Sequence, residues 1–432
     1  MRGADIKTYS DILLRPDPAR TVIRPFAPED PIGFVVPGHP RAGRIVARVL
    51  GMTGEQLARD RRRATDSLDE RHRDVDAVLM RRFEQVAKQL ALDPLAIDRP
   101  RALLIGAYFC AEYSFEAAAL FNPSIVPHPD QSGLADGALR FILSLRGIGE
   151  GHVSSVTFRT GTWRPGRMPN MDPVSPTAVS PIIEQRGDDG GATTIRIDCG
   201  GSRDVSESVL FPITPSQQQG IEDLRLVQFT EQDGTQCYYG TYTAFSGAAA
   251  RSELLSSSDF RSFEMRALHG DATRGKGMAL FPRRVNGRYA MLGRHDNENI
   301  WLLESDDLYT WNAGRRIVMP YYPWEFVQLG NCGSPIEIEE GWLVLTHGVG
   351  TVRNYCIGAC LLDRDDPSRV LARTPLPLIH PSAKERDGYV PNVVYSCGAL
   401  VRERTLLLPY GVADDFATFA TVGLDDLLAV MA

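Results

Sequence analysis

The sequence predicts an all-β fold, a five-bladed β-propeller that follows an N-terminal helical extension. From about residue 102 onward, the chain consists of short strand-like runs that are bounded by turn residues. Three turn dipeptides, Asp233-Gly234, Asn286-Gly287 and Glu340-Gly341, recur at intervals of 53 and 54 residues. About four strands at this spacing are typical of propeller blades, and about five such repeats fit the available length. A two-sheet sandwich would also account for the strands, but not for their regular spacing.

The first hundred residues predict the helical extension. Thr53 to Gln56 has the pattern of a capping box, and Asp93-Pro94 marks a helix end. Between them, apolar residues are spaced as on one face of a single long helix. These residues are Leu57, Ala64, Leu68, Val75, Leu79, Phe83, Val86 and Leu90. We therefore divide the chain into an extension at 1–100 and a propeller domain at 101–432. Because the apolar stripe must be buried on the blades or on another subunit, we expect a homo-oligomer.

The strand-like runs are short, apolar and rich in aromatic and β-branched residues. A run of prolines and polar residues at 163–181 interrupts them. The runs cover residues 139–145, 153–158, 238–244, 289–292, 300–304, 342–347, 355–362 and 406–410.

Composition and charge exclude several classes of protein. With 47 Lys and Arg against 54 Asp and Glu, the formal net charge of -7 does not attract nucleic acid. No stretch has the roughly 18 to 20 uncharged apolar residues of a membrane span, and the N-terminus lacks an apolar signal core. Seven cysteines without a CxxC motif argue against a disulfide framework or a zinc site, and Cys356 and Cys360 are interpreted as buried thiols. We expect a cytoplasmic protein.

The chemistry-bearing residues do not form a general catalytic motif. The chain has no Walker loop, no G-x-S-x-G elbow and no H-E-x-x-H motif. Glu222, Asp223 and Arg225 precede an apolar strand, which is an arrangement in which a guanidinium holds a carboxyl group. A structural ion pair would account for the same pattern. Glu150 and His152 lie in a glycine-rich turn and are interpreted as structural or rim residues.

The wider sequence resembles glycoside hydrolase family 130, the mannoside phosphorylases and β-mannosidases. The E-D-x-R stretch at 222–225 is followed by Asp-Gly, Tyr-Tyr and Tyr-Thr-Ala, as in that family. Further segments agree in order from residue 102 to 428. They include F-N-P-S at 121–124, L-R at 145–146, G-M-A-L-F-P-R-R at 277–284, G-R at 293–294, G-W-L-V-L-T-H-G at 341–348, G-Y-V-P-N-V-V-Y at 388–395 and Y-G-V-A-D at 410–414.

The resemblance implies a five-bladed propeller and an inverting attack on the anomeric carbon of a β-mannoside. In the family's phosphorylases, inorganic phosphate is the nucleophile, and the aspartate that matches Asp223 supplies the proton through a hydroxyl of the bound mannose. Leu224 replaces the family's proline, which alters the turn and not the acid. The remaining sugar-binding positions that the resemblance implies are Asn122, Ser124, Arg146, Arg225 and Asp414.

The phosphate side departs from the family pattern. Where the phosphorylases place a lysine before the Gly-Trp-Leu strand, this chain has Glu337. A carboxylate in place of a cation changes the interaction with phosphate by about 8 kcal/mol at an effective dielectric constant of about 20, so we expect phosphate to bind poorly. The resemblance still matches Arg294, His347 and Tyr355 to phosphate-binding residues of the family, and Lys276 lies near a further one.

A carboxylate at that position is what an inverting hydrolase requires as its general base. Glu337 is therefore the first candidate base, and Glu385 is the second. The surface interpretation of Glu337 stays open, because Glu339 and Glu340 lie beside it at the end of a strand.

The leading hypothesis is an inverting hydrolase of short β-mannosides, including β-1,2-linked ones, with Asp223 as acid and a glutamate as base. One alternative is a β-mannoside phosphorylase that releases mannose 1-phosphate. An alternative of another class is a carbohydrate-binding propeller without catalysis. The expected partner is a β-mannoside oligosaccharide, with no metal and no cofactor. We expect the segment at 163–181 to shape the leaving-sugar side of the pocket.

Overall fold

The computed structural model describes residues 6–31, 40–187, 193–312, 314–382 and 386–432. The described chain is mostly β-strand with few helices, and it forms two compact units. The larger unit comprises Met1–Pro18, Phe115–Val174 and Pro181–Ala432, and the smaller unit comprises Ala19–Ser114 and Ser175–Ser180. In the described ranges, no helix is long and apolar enough to cross a membrane.

The helices and strands are numbered in chain order. The α-helices are α1 (Arg41–Leu50), α2 (Gly54–Asp69), α3 (Val75–Gln89), α4 (Arg99–Tyr108) and α5 (Leu424–Ala429). The strands before residue 220 are β1 (Lys7–Tyr9), β2 (Thr21–Pro25), β3 (Cys110–Ser114), β4 (Ala119–Pro127), β5 (Leu139–Ile148), β6 (Ser154–Trp163), β7 (Asn170–Met171), β8 (Ile182–Gly187), β9 (Thr193–Asp198) and β10 (Val209–Leu210).

The second half of the chain adds seventeen further strands within the described residues. They are β11 (Gly220–Thr230), β12 (Gln236–Phe245), β13 (Ala250–Ser257), β14 (Ser262–Ala267), β15 (Ala279–Leu280), β16 (Tyr289–Gly293), β17 (Ile300–Ser305), β18 (Arg315–Val318), β19 (Gln328–Asn331), β20 (Ile336–Ile338), β21 (Gly341–Val349), β22 (Tyr355–Leu362), β23 (Val370–Arg373), β24 (Val394–Tyr395), β25 (Leu400–Arg402), β26 (Thr405–Val412) and β27 (Phe416–Gly423).

The apolar spacing predicts a single long helix, and this prediction is wrong because the structure has two helices, α2 and α3, in that part of the chain. The capping box of Thr53 and Gln56 is confirmed at the start of α2. That helix ends at Asp69, and the chain turns through Asp74, whose φ is 54°. The turn buries the His72 ring, whose Nε2 lies 2.9 Å from Oε1 of Glu112. An uninterrupted helix would not allow the left-handed backbone at Asp74.

The apolar stripe of α3 is buried inside the smaller unit. Leu79, Phe83 and Val86 are almost fully buried, and Phe83 and Val86 belong to a core shared with α1, α2 and α4. The stripe therefore has its cover within the unit and no longer argues for a second subunit. The homo-oligomer stays a prediction.

The larger unit consists of five groups of mainly antiparallel strands. Group 1 contains β4, β5 and β6 with the short β7 and β10, and group 2 contains β11 to β14 with β9 and β8. A single parallel pair, Gly220 with Ser154, joins these two groups into one sheet. Group 3 contains β15 to β18, group 4 contains β19 to β23, and group 5 contains β24 to β27 with β1.

The predicted strand runs and turns are confirmed. All eight runs lie within or overlap strands of the larger unit. The three nearly equally spaced turns occur in groups 2, 3 and 4, just before or at the start of β12, β16 and β21. Cys356 and Cys360 are buried in β22 as expected, and none of the seven cysteines, all of which are described, forms a disulfide.

The two units of the structure do not meet at the predicted boundary between residues 100 and 101. Residues 6–18 belong to the larger unit, where Lys7 to Tyr9 pair with the last strand, β27. The smaller unit continues to Ser114 and takes Ser175–Ser180 from the proline-rich segment. Pairing between remote parts of a chain leaves little local sequence signal, which is why the spacing of apolar residues did not indicate it.

Two β-bulges set up the functional site. The register of β4 against β5 shifts between Phe121 and Ser124, and the register of β11 against β12 shifts between Glu222 and Arg225. Asn122 and Asp223 lie in these bulges with φ values of 49° and 52°. A bulge turns a side chain away from the regular alternation of a strand, so both polar side chains can be directed to the same place.

Gly106 provides a test of the packing in the smaller unit. A methyl group at Gly106 of α4 would lie 2.0 Å from the backbone oxygen of Leu79 in α3, whereas a methyl group at Gly43 of α1 meets nothing closer than 3.7 Å. We expect Gly106→Ala to destabilise the unit by about 1–3 kcal/mol because the two helices must move apart. Gly43→Ala should be neutral or stabilising by up to about 1 kcal/mol. Thermal unfolding followed by far-UV circular dichroism measures both, and equal effects would contradict the tight contact.

Candidate active site

A polar cavity of about 160 Å³ lies in the larger unit, where all five strand groups contribute to its wall. Seven of the twelve predicted site residues line it. The full lining is Asn122, Arg146, Asp223, Lys276, Arg294, Arg353, Tyr355, Val390, Val393, Tyr395 and Asp414.

Asp223 is held by groups from three directions. The Asn122 amide donates from Nδ2 to its Oδ1 at 2.8 Å, and Nη1 of Arg146 lies 3.4 Å from the same oxygen. Nη1 of Arg225 donates to the Asp223 backbone carbonyl at 3.3 Å. The two bulges thus bring an amide and a carboxylate from different strand groups into direct contact.

Asp223 is a carboxylate in the resting protein. Burial by itself raises its pKa, but the charges of Arg146 and Arg225 and the Asn122 hydrogen bond outweigh this and lower the pKa to about 2. Its chemistry therefore starts from the ionised form at neutral pH.

Glu222 organises the cations next to Asp223. Its side chain is only 8% exposed and accepts hydrogen bonds from Nη2 of Arg146 at 2.8 Å and from Nζ of Lys276. The two adjacent acids thus have different tasks, since Glu222 fixes two cations and Asp223 faces the cavity. The sequence pattern showed both acids but did not separate their roles.

Two further lining residues, Arg294 and Tyr355, are ones that the sequence matched to phosphate contacts, and His347 supports them. Arg294 is 8% exposed, and its buried Nε has no hydrogen-bond partner. Its Nη1 lies 3.4 Å from Nε2 of His347, whose ring stacks on Tyr355 at 6.1 Å between centroids. Burial, reinforced by the charge of Arg294, holds the pKa of His347 well below its usual range. His347 is therefore neutral and accepts the Arg294 hydrogen bond.

Arg353 is a lining cation that the sequence reasoning missed. It lies in the turn before β22 with φ 56°, and its guanidinium is 5.9 Å from the centroid of the Tyr355 ring. Its position two residues before Tyr355 was the available signal. Tyr395, Val390 and Val393 were also missed as lining residues, although they lie in the G-Y-V-P-N-V-V-Y segment.

Three predicted site residues lie behind the cavity wall. Arg225 is buried and donates from Nη2 to the Tyr395 hydroxyl at 2.7 Å. Ser124 is fully buried, and its Oγ accepts from the Leu226 backbone N–H at 2.9 Å, which ties β4 to β11. His347 supports Arg294 as described above. These residues fix the wall and do not line the cavity.

Asp414 is the second carboxyl group on the cavity wall. It lies in a turn after β26 with φ 52°. Burial, with the nearby negative charge of Asp223, raises its pKa to about 6 although Arg146 acts in the opposite direction. The environment therefore separates the two acids, since Asp223 is ionised throughout the neutral range and Asp414 takes up a proton just below it.

Glu337 does not line this cavity, so the structure does not support its predicted role as general base. It lines a separate cavity of about 300 Å³ and accepts from Nε and Nη2 of Arg283 at 2.9 and 2.6 Å. Arg283 bridges to Thr230, which is seven residues beyond Asp223 along β11. At about 3.3 Å per residue, Thr230 lies about 20 Å from Asp223 along the strand. The two carboxyl groups of an inverting hydrolase are only about 6.5 to 9.5 Å apart.

The remaining predictions concern parts of the chain away from the cavity. Glu385 lies outside the described residues. The segment at 163–181 provides none of the described lining residues. Across the described ranges, no group of three or more His, Cys, Asp or Glu side chains is arranged to hold a metal ion.

Comparison with known proteins defines the class. The model of glycoside hydrolase family 130, described as beta-1,4-mannooligosaccharide phosphorylase, matches residues 202–432, more than half of the chain. The chain belongs to glycoside hydrolase family 130, which confirms the resemblance seen in the sequence motifs.

Individual relatives agree with this assignment. A 1,2-beta-oligomannan phosphorylase from Thermoanaerobacter sp. (strain X514) is 36% identical over 228 residues, or 52% of this chain and 75% of that protein. A beta-1,2-mannobiose phosphorylase from Listeria innocua serovar 6a is 33% identical over 227 residues, or 51% of this chain and 62% of that protein. The crystal structure of a glycosyl hydrolase from Bacteroides ovatus has a similar fold, with a TM-score of 0.50, 20% identity and coverage of 72% of this chain and 85% of that chain.

The raised pKa of Asp414 predicts a pH-dependent stability. A carboxyl group with a raised pKa stabilises the fold when protonated, and this contribution is lost as the pH rises through about 6. Asp414→Asn keeps a neutral side chain, so its Tm should exceed that of the wild type at pH 8, and this advantage should shrink at pH 4. The shift corresponds to at most about 3 kcal/mol. Scanning calorimetry at both pH values tests this, and a pH-independent difference would contradict it.

Proposed function

We propose that this protein is an inverting β-mannoside phosphorylase that releases mannose 1-phosphate. The observation that carries the proposal is the charge of the cavity wall. Among the described residues, four cations, Arg146, Lys276, Arg294 and Arg353, share it with two carboxyl groups, and the buried Glu222 behind the wall still leaves a net positive charge. A site with this excess of positive charge favours an oxyanion ligand such as phosphate over a neutral water nucleophile.

The displacement of Glu337 also supports phosphate as the nucleophile. The argument for a hydrolase depended first on Glu337 in the place of a phosphate-binding cation, and its second candidate base, Glu385, lies outside the described residues. Glu337 pairs with Arg283, which bridges to Thr230, and Thr230 lies about 20 Å along β11 from Asp223. The charge of Glu337 therefore does not oppose phosphate at the site. The carboxyl group that does share the cavity, Asp414, has a raised pKa and lies among the positions that the family resemblance assigns to sugar binding.

In the proposed mechanism, Asp223 handles the proton and the cations hold the nucleophile. Asp223 takes up a proton from solvent when phosphate binds. Phosphate then attacks the anomeric carbon while the glycosidic bond breaks, and Asp223 passes this proton through a mannose hydroxyl to the departing oxygen. Because nearby cations keep the pKa of Asp223 at about 2, an anion bound to those cations reduces their effect and raises that pKa. Binding of phosphate therefore favours the protonated acid that the departing sugar requires.

The proposed substrate is a short β-1,2-mannoside. Two relatives that are more than 30% identical over about half of this chain act, by their names, on a 1,2-β-oligomannan and on β-1,2-mannobiose. The family model is described by a β-1,4-linked substrate, so a β-1,4-mannoside is the substrate against which the β-1,2-mannoside is compared.

The proposed scaffold is a closed five-bladed propeller in which each strand group is one blade. Both cavities support this arrangement, because each is lined by residues from all five groups. In a propeller, these cavities would be the two ends of one central channel. The site would then lie at one end and Glu337 at the other.

The function is tested by supplying β-1,2-mannobiose with and without inorganic phosphate. We expect mannose 1-phosphate to form only with phosphate. Asp223→Asn should lower kcat by about 100-fold or more, since general acid catalysis contributes about 10² to 10⁴, and the matched variant Glu337→Gln should keep activity within about twofold.

Other outcomes would point to other functions. Release of free mannose without phosphate would establish a hydrolase and overturn the proposal. A lack of turnover with both β-1,2- and β-1,4-mannobiose, together with measurable sugar binding, would favour a carbohydrate-binding protein.

A further inference from the structure

Two exposed aromatic rings stack on each other next to residues that line the polar cavity. His152 lies in the turn between β5 and β6 of group 1, and Tyr389 precedes β24 of group 5. Their ring centroids are 6.0 Å apart with an interplanar angle of 25°. Tyr389 is 75% exposed and His152 is also exposed. An exposed pair of stacked rings from two strand groups offers an aromatic surface to a ligand.

Their neighbours place the rings beside the cavity. Two residues after His152, Oγ of Ser154 accepts a hydrogen bond at 2.8 Å from Nε of Arg146, which lines the cavity. Tyr389 directly precedes Val390, another lining residue. The Val390 backbone N–H donates to the carbonyl of Ala413 at 2.9 Å, and Ala413 adjoins the lining residue Asp414.

The backbone holds both rings in place before any ligand binds. His152 has φ 58°, and its N–H donates to the Gly149 carbonyl at 3.2 Å. On the other side, a Cβ at Gly388 would lie 2.6 Å from the Cβ of Ala413, so the segment is packed closely against the turn that carries Asp414. A fixed backbone lowers the entropy cost of binding, as in preorganised recognition sites.

The position of the acid fixes where the departing sugar lies. Because Asp223 faces the polar cavity, the bond that breaks must lie there, and the two sugars extend to either side of it. If the reacting mannose occupies the polar cavity, the departing sugar lies at the rim. A pyranose ring presents an apolar C–H face, which an aromatic ring covers well.

We propose that His152 and Tyr389 form a stacking platform for the leaving sugar and set the affinity of the enzyme for that sugar. This inference rests on the proposed function, since it assigns the rim of the same site. The platform acts on the departing sugar and does not contact the nucleophile.

The reverse reaction allows the part of the site that binds the leaving sugar to be tested separately from the part that binds mannose 1-phosphate. With mannose 1-phosphate as donor and mannose as acceptor, Tyr389→Ala and His152→Ala should each raise the KM for the acceptor by up to about tenfold. The KM for mannose 1-phosphate should change by less than about twofold. Tyr389→Phe, which keeps the ring, is the matched control and should behave like the wild type.

Calorimetric titration with β-1,2-mannobiose in the absence of phosphate tests the platform independently of turnover. Weaker binding to Tyr389→Ala with normal binding to Tyr389→Phe supports it, even if the wild type makes no mannose 1-phosphate and the proposed function fails. An unchanged acceptor KM in an active wild-type background, unchanged mannobiose affinity, or an equal loss for mannose 1-phosphate would overturn the platform.

Discussion

The buried negative charge of Asp223 depends on every group that surrounds it. A carboxylate in a low-dielectric interior is costly unless it is paired and hydrogen-bonded. Here Arg146, Arg225 and Asn122 provide that compensation, and each comes from a different strand. The bulges in β4 and β11 bring the Asn122 side chain to Asp223, and Glu222 in turn holds Arg146. Strand groups 1 and 2 thus keep one acid ionised at the wall of a cavity that four cations also line.

Much of this arrangement was predictable from the sequence, because its signals are local. Turn dipeptides, strand-like runs and the capping box at Thr53 each depend on a few neighbouring residues, and each was confirmed. Seven predicted site residues line one cavity because their motifs fix their place on a strand or turn. The parts that failed depend on distant contacts. The break in the predicted long helix follows the burial of His72 against Glu112, which is 40 residues away in the chain, and no local spacing indicates such a pair.

Glu337 shows how a single position can mislead. Its type suggested a carboxylate in place of a phosphate-binding cation, yet strand length decides which end of a sheet a residue reaches. β20 is three residues long and continues directly into the turn before β21, so Glu337 lies beside Trp342 near the start of that strand. His347, which supports the cavity wall, lies five residues further along β21. At about 3.3 Å per residue, these five residues separate the ends of the strand by more than the reach of a side chain.

The pairing of β1 with β27 also bears on how the protein is made. Lys7 to Tyr9 bind Ala420 to Val422, so the sheet of group 5 joins nearly the two extremes of the described chain. Contacts of such large sequence separation are slow to form, because the loop between them must first be ordered. During synthesis, the segment at residues 7–9 leaves the ribosome long before β27 and has no partner until β27 follows. Group 5, which carries Asp414, Tyr395 and Tyr389, is therefore expected to be completed after the other four groups, and the acid site would assemble only once β27 is available.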